Sequence, residues 1–430
     1  MPRKVRKDTT WFKLDNAAKI YPALKSAKNS FVYRVACVIK ETVKPDILQQ
    51  ALVDLGPRFP SLFVRIKHGF FWYYLEANPE TPIVRPEPSL VNQKVDPNVN
   101  NHFFFSVFYY QNRISIEIFH SLCDGSSALV FLKSLVFRYF ELCGVEAKND
   151  GTIFTVDQWP TMEETEDSFA KYSDKSGKKR EDTTPAFHIK AKKFIFKESR
   201  GIITGQLPSD GLATLSKKYD ATVTQFLVAL LTFAIYQSYE GQIPAKRPIK
   251  IAVPVNMRRF FKSSTLRNFT FYIHTTLYVK PNLTLKDIVE ATKRDFDTEI
   301  KLEKFISSIN ANVLAEKNFA VRIMPLFIKK VALMIIGKRL GARLETGTIS
   351  NVGVISMPPS IASLVESFEF NLTTAANSVY GVGVGSYNNI TTISFLRSIY
   401  DTGVERRFFR LLADEGLDVT IRSNYWEDKA

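Results

Sequence analysis

Residues 113–140 read RISIEIFHSLCDGSSALVFLKSLVFRYF, and this stretch decides the fold. Ile114, Ile116 and Ile118 alternate with Arg113, Ser115 and Glu117, the two-residue period of a strand. Past Phe119 the period changes. Over Ser126–Leu142, Ala128, Leu132, Leu135 and Tyr139 fall on one helical face, with Leu129 and Val136 beside them. His120 therefore opens a short loop between strand and helix, and Asp124-Gly125 closes it. A rigid scaffold can aim such a loop histidine into a cleft. A neutral imidazole, with a pKa of about 6.5, suits proton abstraction from a hydroxyl or amine near neutral pH. Asp124 could orient the loop through a charged hydrogen bond, and Gly125 permits a turn that other residues resist. The structural alternatives stand beside this: Asp124 is also a good helix N-cap, and His120 could be a satisfied core histidine.

Working outward, the first half alternates short strands and helices. Phe31–Lys40 reads as a strand, Lys44–Leu55 as a helix, and Phe63–His68 and Phe70–Glu76 as strands around a turn at His68-Gly69. Phe103–Tyr110 pairs with Arg113–Phe119 as an antiparallel hairpin. From about Gly144 to Lys193 the character changes: residues 157–167 hold five acids and no base, and KSGKKRED (Lys175–Asp182) is a charge block. This reads as a surface linker between two halves, 1–160 and 191–430, with 161–190 as the linker proper. The second half repeats the grammar. A strand at Lys192–Lys197 leads, after the connecting Gly201–Leu207, into helix Ser209–Tyr219 and a buried helix opened by Thr222. Strands follow at Ile249–Val255 and Tyr272–Val279, then helix from Thr284 to about Lys304 and a basic amphipathic piece at Pro325–Leu340. Strands near Thr348–Ile355 and Asn371–Ala375, a Gly-rich hairpin over Tyr380–Asn389, strand Ile390–Leu396 and helix Val404–Glu415 complete the chain. The expected class is α/β (α+β), each half a mixed, largely antiparallel sheet covered by helices. Hairpins outnumber βαβ units, which disfavours a doubly wound sheet.

Composition bounds the function. In 430 residues, 58 basic side chains face 43 acidic ones, a net charge of +15, with 45% apolar residues. That apolar share excludes wholesale disorder, and the charge predicts an anionic partner of some kind. Three cysteines, Cys37, Cys123 and Cys143, are too few for a disulfide framework or a thiolate zinc site, and no metal is expected. The basic N-terminus precedes no apolar run, and the uncharged stretches Ala221–Tyr239 and Phe370–Leu396 read as a buried helix and as strands with turns. A cytoplasmic monomer is expected.

HSLCDG (His120–Gly125) resembles the HxxxDG motif of the CoA-dependent acyltransferase superfamily. That group includes chloramphenicol acetyltransferases, plant BAHD acyltransferases, condensation domains of nonribosomal peptide synthetases and wax-ester/diacylglycerol synthases. WFKLDNAAKIYP (Trp11–Pro22) is similar to the N-terminal segment of alcohol acetyltransferase-like members. PVNMRRFF (Pro254–Phe261) resembles the superfamily's VN-apolar-R segment, and TISNVGVISMP (Thr348–Pro358) its SN-x-G strand. Two departures favour the alcohol acetyltransferase-like branch: Phe119 stands where condensation domains and wax-ester synthases carry a second histidine, and the DFGWG motif of BAHD enzymes is absent.

The resemblance implies two chloramphenicol-acetyltransferase-like domains with an active-site tunnel at their interface, acyl donor and acceptor entering from opposite faces. His120 would be the general base, taking the proton of an acceptor OH or NH as it attacks a thioester carbonyl. No acyl-enzyme is then needed, because a thiol of pKa about 8.5 leaves readily. Asp124 would hold the loop through an ion pair with Arg258, whose alternative is a surface arginine in a patch with Arg259 and Lys262. Ser350 and Asn351 are candidate oxyanion donors, or an ordinary strand end. Cys123 reads as a small buried filler. The donor would be acyl-CoA or an acyl carrier protein, a co-substrate and not a resident cofactor.

Three other readings compete with free acyl-CoA turnover. They are carrier-dependent ester or amide synthesis, a catalytically silent carrier-binding relative, and nucleic-acid binding prompted by charge alone. The last is disfavoured, because the aromatic residues sit in strand runs and not among the basic ones. The run FFFSVFYY (Phe103–Tyr110) suits a substrate tunnel or a strand buried on both faces. Phe327–Leu340 admits peripheral membrane contact or a helix packed along one face.

Overall fold

In the computed structural model, residues 10–26, 29–174, 184–194, 200–336, 343–373 and 378–424 are described. The charge block Lys175–Asp182 lies outside them. The strand Val32–Ile39 is buried along its whole length. It pairs antiparallel with Arg113–Phe119, which pairs in turn with Phe105–Tyr110 through the hairpin at Gln111-Asn112. Val84–Pro86 joins the far edge in parallel. Arg34 sits inside this sheet because Glu87 and Glu117 each lie 2.7 Å from its guanidinium; a buried cation without such partners would be costly. Helices Pro45–Asp54 and Gly125–Leu142 pack onto the sheet and form one apolar core.

The second sheet has seven strands in the spatial order Thr270–Leu277, Ile249–Asn256, Gly347–Val354, Tyr380–Tyr387, Ile390–Arg397, Gly201–Pro208 and Thr420–Ser423. Gly347–Val354 pairs in parallel with both of its neighbours and the other pairings are antiparallel. The helix Val223–Ser238 lies in this core, opened by a capping box in which Thr222 and Gln225 exchange hydrogen bonds. A small three-stranded sheet joins Trp11–Lys13, Tyr73–Ala77 and Val64–His68. Among the described residues no single helix is long and apolar enough to cross a membrane.

One strand ties the two large sheets together. Val365–Asn371, from the second half of the chain, pairs with Val32–Ile39 at the edge of the five-stranded sheet. A glycine makes the crossing close: a Cβ on Gly383 would stand 1.7 Å from the Phe370 carbonyl oxygen, so no other residue fits there without backbone movement.

Several local expectations need correction. The strand expected at Asn371–Ala375 ends at Asn371; its hydrophobic pattern lies upstream, over Val365–Phe370. Gly201–Pro208 is a strand and not a connector. Its glycines and proline disguise it, and hydrogen bonding on both edges holds it. In place of the strand expected at Lys192–Lys197, Lys193 forms an isolated bridge to Ile399, and residues 195–199 lie outside the described set. The helix expected from Thr284 to Lys304 is two helices, Leu285–Glu299 and Leu302–Lys317, broken where Ile300 leaves helical geometry. The acidic run is not all solvated surface. Glu164 is buried in a bidentate pair with Arg58, with oxygens 2.6 and 2.9 Å from the guanidinium nitrogens, and Asp167 caps Ser168–Tyr172.

Candidate active site

The loop after Arg113–Phe119 sits where the two large sheets meet, and both readings of Asp124 hold at once. One carboxylate oxygen, Oδ1, accepts from the Ser127 amide at 3.1 Å as a helix N-cap. The other, Oδ2, accepts from Arg258 Nη1 at 2.8 Å, the Phe269 amide at 2.8 Å and Thr270 Oγ1 at 3.1 Å. Burial by itself would raise this carboxyl; Arg258 and the amide donors outweigh it and hold it below the usual carboxylate range. Arg258 is equally engaged. Its Nε donates to the Thr265 carbonyl at 2.9 Å, and its Nη2 donates to the Arg267 carbonyl at 2.6 Å and to Ser127 Oγ at 3.0 Å. It is a clasp between the halves, not a surface arginine.

Gly125 owes its identity to packing and not to a turn. Its φ is not in the left-handed region. A Cβ there would lie 2.8 Å from Phe370 Cζ, so the tip of the crossing strand occupies the space a side chain would need. Cys123 is buried, its hydroxyl neighbour Tyr33 donating to its carbonyl at 3.0 Å. Desolvation pushes the thiol up to about 12, so it is un-ionised near neutral pH.

His120 is partly exposed, and its imidazole stacks on the Tyr21 ring with centroids 4.9 Å apart; the Tyr33 ring lies 4.9 Å away on a tilt. Two residues that the sequence did not point to fix its chemistry. Asn268 Nδ2 donates to Asp15 Oδ2 at 3.1 Å and to the His120 carbonyl at 3.0 Å. Both acceptors claim the NH2 group, so the amide cannot be flipped, and its Oδ1 is the atom 3.1 Å from His120 Nδ1. Nδ1 must then carry the proton, and Nε2 holds the free lone pair. Desolvation lowers the imidazole pKa, partly offset by the hydrogen bonds to its own backbone and to Asn268. Asp15 is fully buried, with Oδ1 accepting from the Ala18 amide at 2.7 Å and Arg267 3.6 Å from Oδ2. It lies in WFKLDNAAKIYP, the one signal that could have found it; Asn268, in an ordinary-looking RNFTF, gave none.

Ser350 and Asn351 are not bonded into this cluster. Asn351 Nδ2 donates to Thr224 Oγ1 at 3.0 Å, and its Oδ1 accepts from the Gly353 amide at 2.8 Å within a strand bulge. Between the sheets lies a cavity of about 10 Å³ lined by Val35, Leu129, Val352, Phe368 and Phe370 among others, room for about one water and not for an acyl chain. Among the described residues no group of three or more His, Cys, Asp or Glu side chains is placed to hold a metal ion.

Solved structures share this architecture over nearly the whole chain. The starter condensation domain of rhizomide synthetase, in complex with C8-CoA, matches with a TM-score of 0.60 and 12% identity over 96% of this chain and 98% of that one. A trichothecene 15-O-acetyltransferase from Fusarium sporotrichioides matches at 0.59 and 11% identity, over 95% and 94%. Polyketide synthase associated protein 5 from Mycobacterium tuberculosis matches at 0.55 and 12%, over 90% and 96%. The chain therefore has the same fold as these condensation-domain and acetyltransferase structures. No protein-family model and no curated protein sequence matches it.

Proposed function

We propose that the chain transfers an acyl group from a thioester, acyl-CoA or an acylated carrier protein, to a hydroxyl or amine, with His120 as general base. The observation that carries this reading is the fixed tautomer: Asn268 anchors Nδ1 at 3.1 Å and leaves Nε2 free to accept a proton. As the acceptor oxygen or nitrogen bonds to the thioester carbonyl carbon, its proton passes to Nε2. The tetrahedral intermediate then collapses, the C–S bond breaks, and the imidazolium returns the proton to the departing sulfur. No covalent enzyme intermediate is required, and the un-ionised Cys123 supplies no nucleophile. Asp124 and Arg258 act by positioning, holding the loop without touching the reacting atoms. For the oxyanion, the Ser350 hydroxyl is the freer candidate, since it has no hydrogen-bond partner among the described residues, whereas the Asn351 amide group is spent on Thr224. The neighbour holding an acyl-CoA supports a thioester donor. The experiment is incubation of the purified chain with a panel of acyl-CoAs and a cell extract, with mass spectrometry for a new ester or amide. Product that His120→Ala fails to make is expected. Equal product from both proteins would overturn the assignment of the base.

A further inference from the structure

The helix Leu326–Ile336 is built inside out. Lys329 is buried, its ammonium donating to the Phe71 carbonyl at 2.9 Å and lying 4.1 Å from the centroid of the Trp72 ring. Phe327, Ile328, Val331 and Ile335 face solvent instead, Phe327 with 70% of its surface exposed. Their spacing gathers them on one arc of the helix, about 100° wide. The neighbouring helix Phe319–Ile323 adds Phe319, 74% exposed, and Ile323. The turn before Tyr73–Ala77 adds Phe70, equally bare, whose carbonyl accepts from the Leu326 amide at 2.9 Å. A helix that buries its lysine and exposes a phenylalanine reverses the order that water favours. Exposed apolar side chains gathered on one helix arc in this way mark an interaction site.

Charge selects the occupant. From Lys317 to Leu344, both included, the sequence holds seven basic side chains and no acidic one. Arg322 and Lys330 are exposed within the described part of that run. The protruding side chains are pure hydrocarbon and offer none of the hydrogen bonds that a protein interface carries at about one per 100–200 Å². Hydrocarbon on one face with cations at its edge matches a helix lying in the headgroup region of a bilayer.

We propose that this surface docks the protein on an anionic lipid membrane. The site is adjacent: the helix packs on the short helix Tyr21–Leu24, and the Tyr21 ring stacks on His120. Docked this way, the protein would take an apolar acceptor dissolved in the lipid; that consequence rests on the acyl-transfer reading, while the docking does not.

The test is co-sedimentation of the full chain with phosphatidylcholine vesicles, with and without phosphatidylserine. Binding to the anionic vesicles, weakened by salt and abolished in the double variant Phe327→Ser, Val331→Ser, is expected. Lys330→Ala should weaken it about fivefold, the share of one cation near such a surface. An unchanged melting temperature would show that the variants fold. A wild-type protein left in the supernatant with both vesicles would overturn the proposal, as would equal binding to both. So would a dimer in sedimentation velocity that the double variant dissolves, or an acidic carrier protein captured by this face without vesicle binding. Vesicle binding without any acyl transfer would support the docking and count only against the proposed activity.

Discussion

Asn268 presents its amide oxygen, and not its nitrogen, to His120 Nδ1 at 3.1 Å. The nitrogen is already committed to Asp15 and to the His120 carbonyl. The orientation of one buried amide thus sets which imidazole nitrogen can act as a base. Asn268→Ala removes that constraint, and kcat should fall roughly 10–100-fold, a part of the 10²–10⁴ typical of general-base catalysis, with KM little changed. The hydrogen bond that Nδ1–H donates to the Asn268 amide oxygen raises the imidazole pKa. The acid limb of the pH–rate profile should therefore also move to lower pH, a shift that mere loosening of the loop would not produce.

The wild-type profile follows from the environment of His120. Desolvation keeps the imidazole below its ordinary pKa, and only the neutral form accepts a proton. Activity should stay on its plateau down past about pH 6.5, the usual imidazole value, and fall only at more acid pH. Initial rates from pH 5 to 8 with a saturating thioester check this. A midpoint above the ordinary imidazole value would sink the assignment.

Asp124 has four donors and Arg258 five acceptors among the neighbouring atoms. Asp124→Ala leaves a largely buried guanidinium without its counter-ion and removes the cap of Gly125–Leu142. The expected loss is about 3–5 kcal/mol of stability, read by urea denaturation. The sign with pH is fixed as well. A carboxyl held below its unfolded pKa stabilises the fold above that pKa, and the contribution disappears as pH falls through the lower, folded value. Wild type should lose stability faster than Asp124→Asn on acidification below about pH 4.

What was legible in the sequence divides by distance along the chain. The hairpin and the helix Gly125–Leu142 announce themselves because alternation, the Gln111-Asn112 turn and the Asp124 cap are all local. The Asp124–Arg258 pair spans 134 residues, and only the VNMR resemblance suggested it. The Asn268 contacts to His120 and Asp15 span 148 and 253 residues and involve an asparagine in the irregular segment just before the strand Thr270–Leu277; periodicity carries no trace of them. For Leu326–Ile336 the pattern reveals an apolar face but not which way it turns, because that depends on the Phe71 carbonyl and Trp72 ring that capture Lys329. Gly125 was misread for a related reason: the ring that demands a glycine comes from Phe370, on a strand of the other half of the chain.

Gly125 supplies the last expectation. A methyl group at this position would meet Phe370 Cζ at 2.8 Å, and the ring cannot retreat freely, because the Phe370 carbonyl is pressed against Gly383. Gly125→Ala should therefore cost about 1–3 kcal/mol, the usual range for overpacking a tight contact, although alanine is otherwise the better helix residue. Shortening the ring in Gly125→Ala, Phe370→Leu should recover part of that loss, so the two substitutions should be non-additive in a double-mutant cycle. If Gly125 served backbone freedom instead, the second substitution would add its own cost and recover nothing. Melting temperatures of the wild type, the two single variants and the double variant decide between packing and flexibility.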